Sequence, residues 1–275
     1  MNFMTDKNVL RVFLLLSAIL LSSATQAVEE YTFTAPPRGN EENETKVYQP
    51  IANYLSKATG KKIVYKHSDN WLSYQDGMRK GAFDIVFDGP HFVSWRMANL
   101  KHVPLAKLAG NLAFVVAVRK DNMHIHGIKD LAGRTVCGLA PPNLATLTLY
   151  GQFPNPVRQP LVLEAESFEQ AYKNMLDGKC MASVMRDKMF EKLNKDKDSA
   201  RVIFQSPGVP NQAFSAGPRL PSEARYKIAA ALTSSDARKQ LPQFFDRYSK
   251  GKDLVSANDT EFRDLIVLLK DTWGF

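Results

Sequence analysis

Two cysteines in 275 residues are too few for a disulfide framework, and no Cys or carboxylate spacing completes a metal site. Runs of five or six like charges are absent. That argues against a nucleic-acid tail, although 36 Lys+Arg against 28 Asp+Glu give a formal charge of +8. There is no Gly-x-Ser-x-Gly elbow, Walker motif or Rossmann glycine fingerprint, so catalysis has no positive motif behind it. Short internal repeats and low-complexity segments are also missing. What remains is ordinary: 44% hydrophobic residues, 23% charged, 15 Gly and 15 Pro. Such a chain buries a real core in one large domain or two modest ones. A mild, dispersed positive balance permits a small anionic ligand.

The first segment reads as an address. Lys7 and Arg11 precede an apolar run over 12–21, and the small residues that follow end at Ala27. That order matches a secretory signal peptide cleaved after Ala27, which removes 27 of the 275 residues and leaves 248. An uncleaved anchor is the alternative, but the run falls short of the about 20 apolar residues that span a bilayer. No later apolar run reaches that length, and no Cys near the cleavage point offers a lipid-attachment signal. Two Asn-x-Thr triplets, at Asn43 and Asn258, fit the glycosylation pattern and mean nothing in a bacterium.

Two series of alternating strands and helices follow. The first has strands over 31–35, 63–66, 83–87 and 112–118. Its helices start at Pro50, after Ser68-Asp69-Asn70, and near His91. The second has strands over 134–137, 161–164, 180–185 and 200–204, with helices over 143–150 and 167–177. A short apolar strand over 213–216 precedes closing helices over 222–232, 237–249 and 260–271. Parallel strands need such helical crossovers, so the fold class is α/β with mostly parallel sheets. Ligands of open parallel sheets bind beyond the strand carboxyl ends. This points to the loops 36–40, 67–71, 88–91 and 138–143.

Particular residues carry a family resemblance. They are the Thr32-Phe33-Thr34-Ala35 strand, the helix over 48–60, Asp84-Ile85-Val86-Phe87-Asp88-Gly89-Pro90, Asp130-Leu131-Ala132-Gly133-Arg134-Thr135-Val136, and Asp177-Gly178-Lys179-Cys180-Met181-Ala182. In this order the chain resembles the phosphate/phosphite/phosphonate-binding family of periplasmic solute-binding proteins, the receptors of ABC importers. The resemblance runs from about Tyr31 to Leu232. It implies a two-lobed, type II-like periplasmic binding protein with an interlobe cleft that closes by hinge motion. Lobe one is expected over 28–117 plus 212–275 and lobe two over 118–211, with chain crossings near 114–120 and 208–215. It also implies an exported monomer in the periplasm, partnered by a small-molecule solute and an ABC permease in the inner membrane. No nucleic acid, cofactor or catalysis is expected. One departure is plain: where phosphonate binders carry Ser-Thr-Ser-Gly, this chain has Ala140-Pro141-Pro142-Asn143, which lacks the hydroxyls and two N–H donors.

Candidate ligand-binding residues follow, each beside its plainer alternative. Arg38, with Gly39 and Asn40, offers a bidentate oxyanion contact or a solvated loop charge. Asn70, Trp71 and Tyr74 stand at a helix start, where the aromatics line a ligand pocket or simply pack in the core. Asp88 meets a ligand ammonium or hydroxyl, or caps a helix; Gly89 and His91 meet an anion with the helix-start N–H groups, or simply pack. Asn143 and Thr146, with Thr148, stand in for the missing hydroxyls. Cys137 and Cys180 pair as a disulfide in an oxidising compartment, or stay as two buried thiols if their strand positions hold the Cα atoms beyond about 7 Å. His124 and His126 are surface-loop residues rather than metal ligands. The expected function is capture of a small anionic or zwitterionic solute, phosphonate- or phosphate-ester-like by resemblance. The alternatives are a ligand-sensing partner of a membrane receptor kinase, and an exported enzyme on the same scaffold.

Overall fold

The computed structural model describes residues 29–270 and Thr272; the expected signal peptide and its cleavage point lie outside the described residues. The chain begins with β1 (Glu30–Thr34), α1 (Glu41–Thr59), β2 (Lys62–Tyr65), α2 (Trp71–Arg79), β3 (Ile85–Asp88), α3 (Pro90–Leu100), β4 (Val103–Leu108) and β5 (Asn111–Leu112). Next come β6 (Phe114–Arg119), β7 (Thr135–Gly138), α4 (Leu144–Tyr150), β8 (Leu161–Glu164), α5 (Phe168–Leu176), β9 (Ala182–Arg186), α6 (Asp187–Asn194) and β10 (Ala200–Gln205). The last part holds β11 (Val209–Pro210), β12 (Ala213–Ala216), α7 (Ser222–Leu232), α8 (Ser235–Gln240), α9 (Pro242–Tyr248), β13 (Leu254–Ser256) and α10 (Asp259–Phe262).

Two main sheets result. One has the order β13-β4-β12-β3-β1-β2, the other β10-β6-β9-β7-β8. The sheets are mixed rather than mostly parallel. β1 pairs parallel with β3, and β7 with β8 and β9. β12 runs antiparallel to β3 and β4, and β6 antiparallel to β9 and β10. The antiparallel strands are those that bring the chain to and from the passages between the sheets. A chain that leaves one sheet and returns to it must reverse direction there. The helical crossovers that announce parallel pairing are confined to the other strands.

The first passage leaves β4 at Leu108 and reaches the second sheet at Phe114; the whole of 114–119 is a strand of that sheet. The sequence pattern puts this passage a few residues later. The return runs from Gln205 to Ala213, and the two passages pair as the β5–β11 ribbon, with Val209 opposite Leu112.

β6 reads as an unbroken apolar run because both its faces are covered. Phe114, Val116 and Val118 pack in one cluster and Val115 in another. The first sheet is covered by a core that includes Phe33, Tyr48, Phe87, Phe214 and Phe244. Cys137 and Cys180 are joined by a disulfide, with Cα atoms 5.8 Å apart. Cys137 stands opposite Ser183 across β7 and β9, and Cys180 sits in the bend just before β9, which brings the two sulfurs together.

Several elements depart from the pattern, among them the helix expected over 260–271, which is only α10 followed by a short 3-10 helix over Leu265–Leu269. α1 starts at Glu41, nine residues before Pro50. Asn40 caps it by accepting from the Asn43 N–H at 3.0 Å, and Glu41, Glu42 and Glu44 complement its dipole. Pro50 and Lys46 lie on the exposed face, so the carbonyl that proline leaves unpaired faces water. The single closing helix expected over 237–249 is broken into α8 and α9 at Leu241–Pro242, because a residue before proline avoids helical backbone. β4, α6 and β13 are further elements beyond those expected from the sequence, and α6 packs Met189, Phe190 and Leu193 on the second sheet.

Candidate functional site

A cavity of about 560 Å³ opens where the carboxyl ends of strands from both sheets converge. The segment after β1 supplies Arg38, and the one after β2 leads to Trp71. The turn after β3 supplies Gly89, Pro90 and His91. From the second sheet come Ala140, Pro142 and Asn143 after β7, Glu166 after β8, and Arg186 at the end of β9. Arg247 and Tyr248, at the end of α9, and Asn211 and Gln212, on the return passage, complete the polar lining.

Arg38 is held in place by rings. Its guanidinium carbon lies 5.7 Å from the centroid of Phe87 and 5.3 Å from that of Tyr248. Its Nη1 is buried with no hydrogen-bond partner among the described residues. Arg186 approaches from the other sheet. Partial enclosure, and then the charge of Arg38, push its pKa below the usual arginine value. Arg247 is partly neutralised, since its Nη2 donates to Glu44 Oε1 at 2.7 Å and Glu44 is buried at the start of α1. Glu166 is the one carboxylate among the lining residues. Two arginines on opposite walls thus lack a carboxylate partner among the described residues, which is the electrostatic signature of a small-anion site.

His91 joins the two walls. Its Nε2 donates to the Pro142 carbonyl at 3.1 Å. The imidazole is 3% exposed and stacks on Phe92, with centroids 4.1 Å apart. Burial holds it neutral, pushed down to about 3 against the pull of the Pro142 carbonyl and with further help from the Arg38 charge. In this arrangement the His91 ring is therefore uncharged. His102, beside Ser215 Oγ at 3.2 Å, is also pushed to about 3 by burial and then by Arg96 and Arg225.

Both histidines have folded pKa values below the ordinary 6.5. The unfolded chain therefore binds more protons between the two values, and the stabilisation present above about pH 6.5 is lost as pH falls. Two such groups cost about 3 kcal/mol by pH 5.5, from roughly 1.4 kcal/mol per pH unit each. Urea unfolding at pH 7.5 and 5.5 checks this, and a His102→Gln variant should show about half the loss. Equal stability at the two pH values refutes it.

Of the residues singled out in the sequence, Arg38, Trp71, Gly89, His91 and Asn143 line the cavity together. Asn143 also caps α4, accepting from the Ala145 N–H at 3.0 Å. The other four lie elsewhere. Asn40 caps α1, and Asn70 caps α2 through a reciprocal pair with Ser73. Thr146 is buried and donates to the Leu139 carbonyl at 2.6 Å, which braces the loop rather than a ligand. Asp88 is fully buried behind the cavity. It accepts from Arg96 Nε at 2.7 Å and from the Tyr74 hydroxyl, so the cation and hydroxyl expected of a ligand come from the protein itself.

Arg186 and Glu166 escape a motif search but follow the strand-end rule that picked the other loops. Arg247, Tyr248 and Gln212 carry no local signal.

The profile described as "ABC transporter, phosphonate, periplasmic substrate-binding protein" matches residues 33–262. The chain belongs to this family. A curated relative, the phosphate-import protein PhnD of Mycolicibacterium smegmatis, is 30% identical over 121 residues. The match covers 41% of this chain and 37% of the relative, so the chain spans little more than a third of that relative's length. PhnD1 of Prochlorococcus marinus, solved with methylphosphonate, superposes with a TM-score of 0.64 at 14% identity, over 87% of this chain and 97% of that one. A Xanthomonas citri protein solved with ATP gives a TM-score of 0.69 at 13% identity, over 87% and 95%. At these identities the likeness is one of fold. The fold is that of the two-lobed periplasmic binding proteins, and the family is one of transport receptors rather than enzymes. Among the described residues no helix is long and apolar enough to cross a membrane.

Proposed function

We propose that the chain is a periplasmic receptor that captures a small phosphonate- or phosphate-ester-like anion in this cavity and presents it, unaltered, to an ABC permease. On this reading export removes residues 1–27 and the mature protein acts as a monomer. Lobe one takes 28 to about 112 plus the segment from 212 onward, and lobe two the residues between. The β5–β11 ribbon is the hinge. The observation that carries the reading is the pair Arg38 and Arg186, on opposite walls of one cavity and without a carboxylate partner among the described residues. Ligand oxyanions between them draw both lobes inward and relieve their mutual repulsion. These guanidinium groups supply what the hydroxyls missing from 140–143 supply elsewhere in the family.

The test is calorimetric titration, with thermal shift in support, using methylphosphonate, inorganic phosphate and simple phosphate monoesters. At least one should bind at 1:1 and raise the melting temperature by mass action. Arg38→Ala should weaken that ligand about 10- to 150-fold, the loss of one charge-assisted contact of about 1.5–3 kcal/mol, with the fold intact by circular dichroism. No binding by any of the three, or equal affinity in the variant, removes the cavity from this role.

A further inference from the structure

The cavity wall contains an acceptor as well as cations. The Pro142 carbonyl accepts only, so the hydrogen bond from His91 at 3.1 Å puts the proton on Nε2 and leaves a lone pair on Nδ1. That Nδ1 is buried and has no hydrogen-bond partner among the described residues. It lies beside Gly89, which also lines the cavity; a Cβ on Gly89 would stand 3.1 Å from it. Gln212 Oε1 is a second buried, unpartnered acceptor, but an amide presents oxygen or nitrogen by turning over. The imidazole has no such freedom while Pro142 holds its other side.

An oxygen that carries only negative charge is repelled by a lone pair, whereas a hydroxyl or ammonium hydrogen is bound by it. Resting on the reading of the cavity as a phosphorus-oxyanion site, we infer that His91 Nδ1 is an acceptor for the ligand. The cavity accordingly takes a phosphonate or phosphate ester in its hydrogen-bearing, singly charged form and passes over sulfonates of the same shape. His91 is then the specificity-determining residue, while the arginines supply affinity that any oxyanion shares. The charged and titratable groups around it support the assignment. Arg38 and Arg186 disfavour a third positive charge, Arg247 is paired with Glu44, Glu166 lies across the cavity, and Asp88 is committed to Arg96.

The test titrates the full mature chain with methylphosphonate and methanesulfonate from pH 5.5 to 9. Wild type should prefer the phosphonate by about 10- to 100-fold, the penalty of an unsatisfied buried acceptor. Its affinity for total phosphonate should fall about tenfold per pH unit above that ligand's second ionisation. The ¹⁵N shift of His91 Nδ1 should stay that of an unprotonated ring nitrogen in the complex. His91→Phe, which keeps a ring against Phe92, should bring the two ligands within about threefold and flatten the profile, since the ring acceptor is gone. The wild-type profile decides alone if that variant does not fold. Phosphonate affinity that is level across this range overturns the assignment, as does sulfonate bound within threefold of phosphonate. Sulfonate binding that strengthens as pH falls marks His91 as a cation and also overturns it. Binding of neither compound, nor of phosphate or its monoesters, removes the underlying reading instead.

Discussion

Asp88→Ala is expected to destabilise the protein by about 3–5 kcal/mol, the range for breaking a buried ion pair from one side. Asp88 and Arg96 are both fully buried and meet at 2.7 Å. Tyr74 completes the cluster: its hydroxyl donates to Asp88 and accepts from Arg96 Nη2 at 3.0 Å. Burial, and then the Asp88 charge, raise the Tyr74 pKa well above its ordinary value, so it stays a donor. With the carboxylate gone, a charged guanidinium remains in the interior without a counter-ion, held only by the Tyr74 hydroxyl and by ring faces at 5.7 Å (Tyr74) and 5.8 Å (Phe83). Urea unfolding measures the loss. The double variant Asp88→Leu with Arg96→Met, which removes both charges, should recover most of it. A loss below 1 kcal/mol for Asp88→Ala would show that water reaches Arg96. Ligand affinity of the folded fraction should hardly change, which separates this residue from the cavity lining.

Loss of the Cys137–Cys180 disulfide comes next in size. The bond closes a loop of 43 residues, and the chain-entropy relation gives about 4 kcal/mol for a loop of that length. The bridge ties β7 to the segment leading into β9, and both half-cystines pack with Met175, Tyr172 and Met185 on one face of the second sheet. The variant with both cysteines replaced by alanine should unfold at distinctly lower urea, and thiol reduction of wild type should lower its midpoint to match. If reduction leaves the midpoint unchanged, the packing around the two sulfurs holds the sheet without the bond. Function should follow stability here, because neither cysteine is among the residues that line the cavity.

The two effects lie on different sheets, and neither involves a cavity residue. Stability is thus held largely behind and beside the site. Arg38, Arg186 and His91 remain free to answer to a ligand. The repulsion between the two arginines and the unpaired atoms of Arg38 and His91 are tolerated because the surrounding scaffold is over-determined.

Periodicity and punctuation made the α/β alternation legible, because local rules suffice for it. Ser167 caps α5 through the Gln170 N–H at 3.1 Å, Pro90 opens α3, and Gly60 ends α1 in left-handed backbone. The strand-end rule then led to Arg38, Trp71, Gly89, His91 and Asn143 without any coordinates. Strand direction was not legible, since an apolar run such as 114–118 reads the same whether its neighbours run with it or against it. Nor was the division of labour between capping and binding. Asn40 and Asn70 look like ligand groups until their oxygens are found on their own helix N–H groups. Arg247 and Tyr248 reach the cavity only because α9 packs on the first sheet, some two hundred residues along the chain from Arg38 and Glu44. The sequence alone determined that strands and helices alternate and where the clearest caps and stops fall, because those are contests between near neighbours. The tertiary structure alone decided which charges face each other unpaired and which imidazole nitrogen carries the proton, because partners distant in sequence settle both.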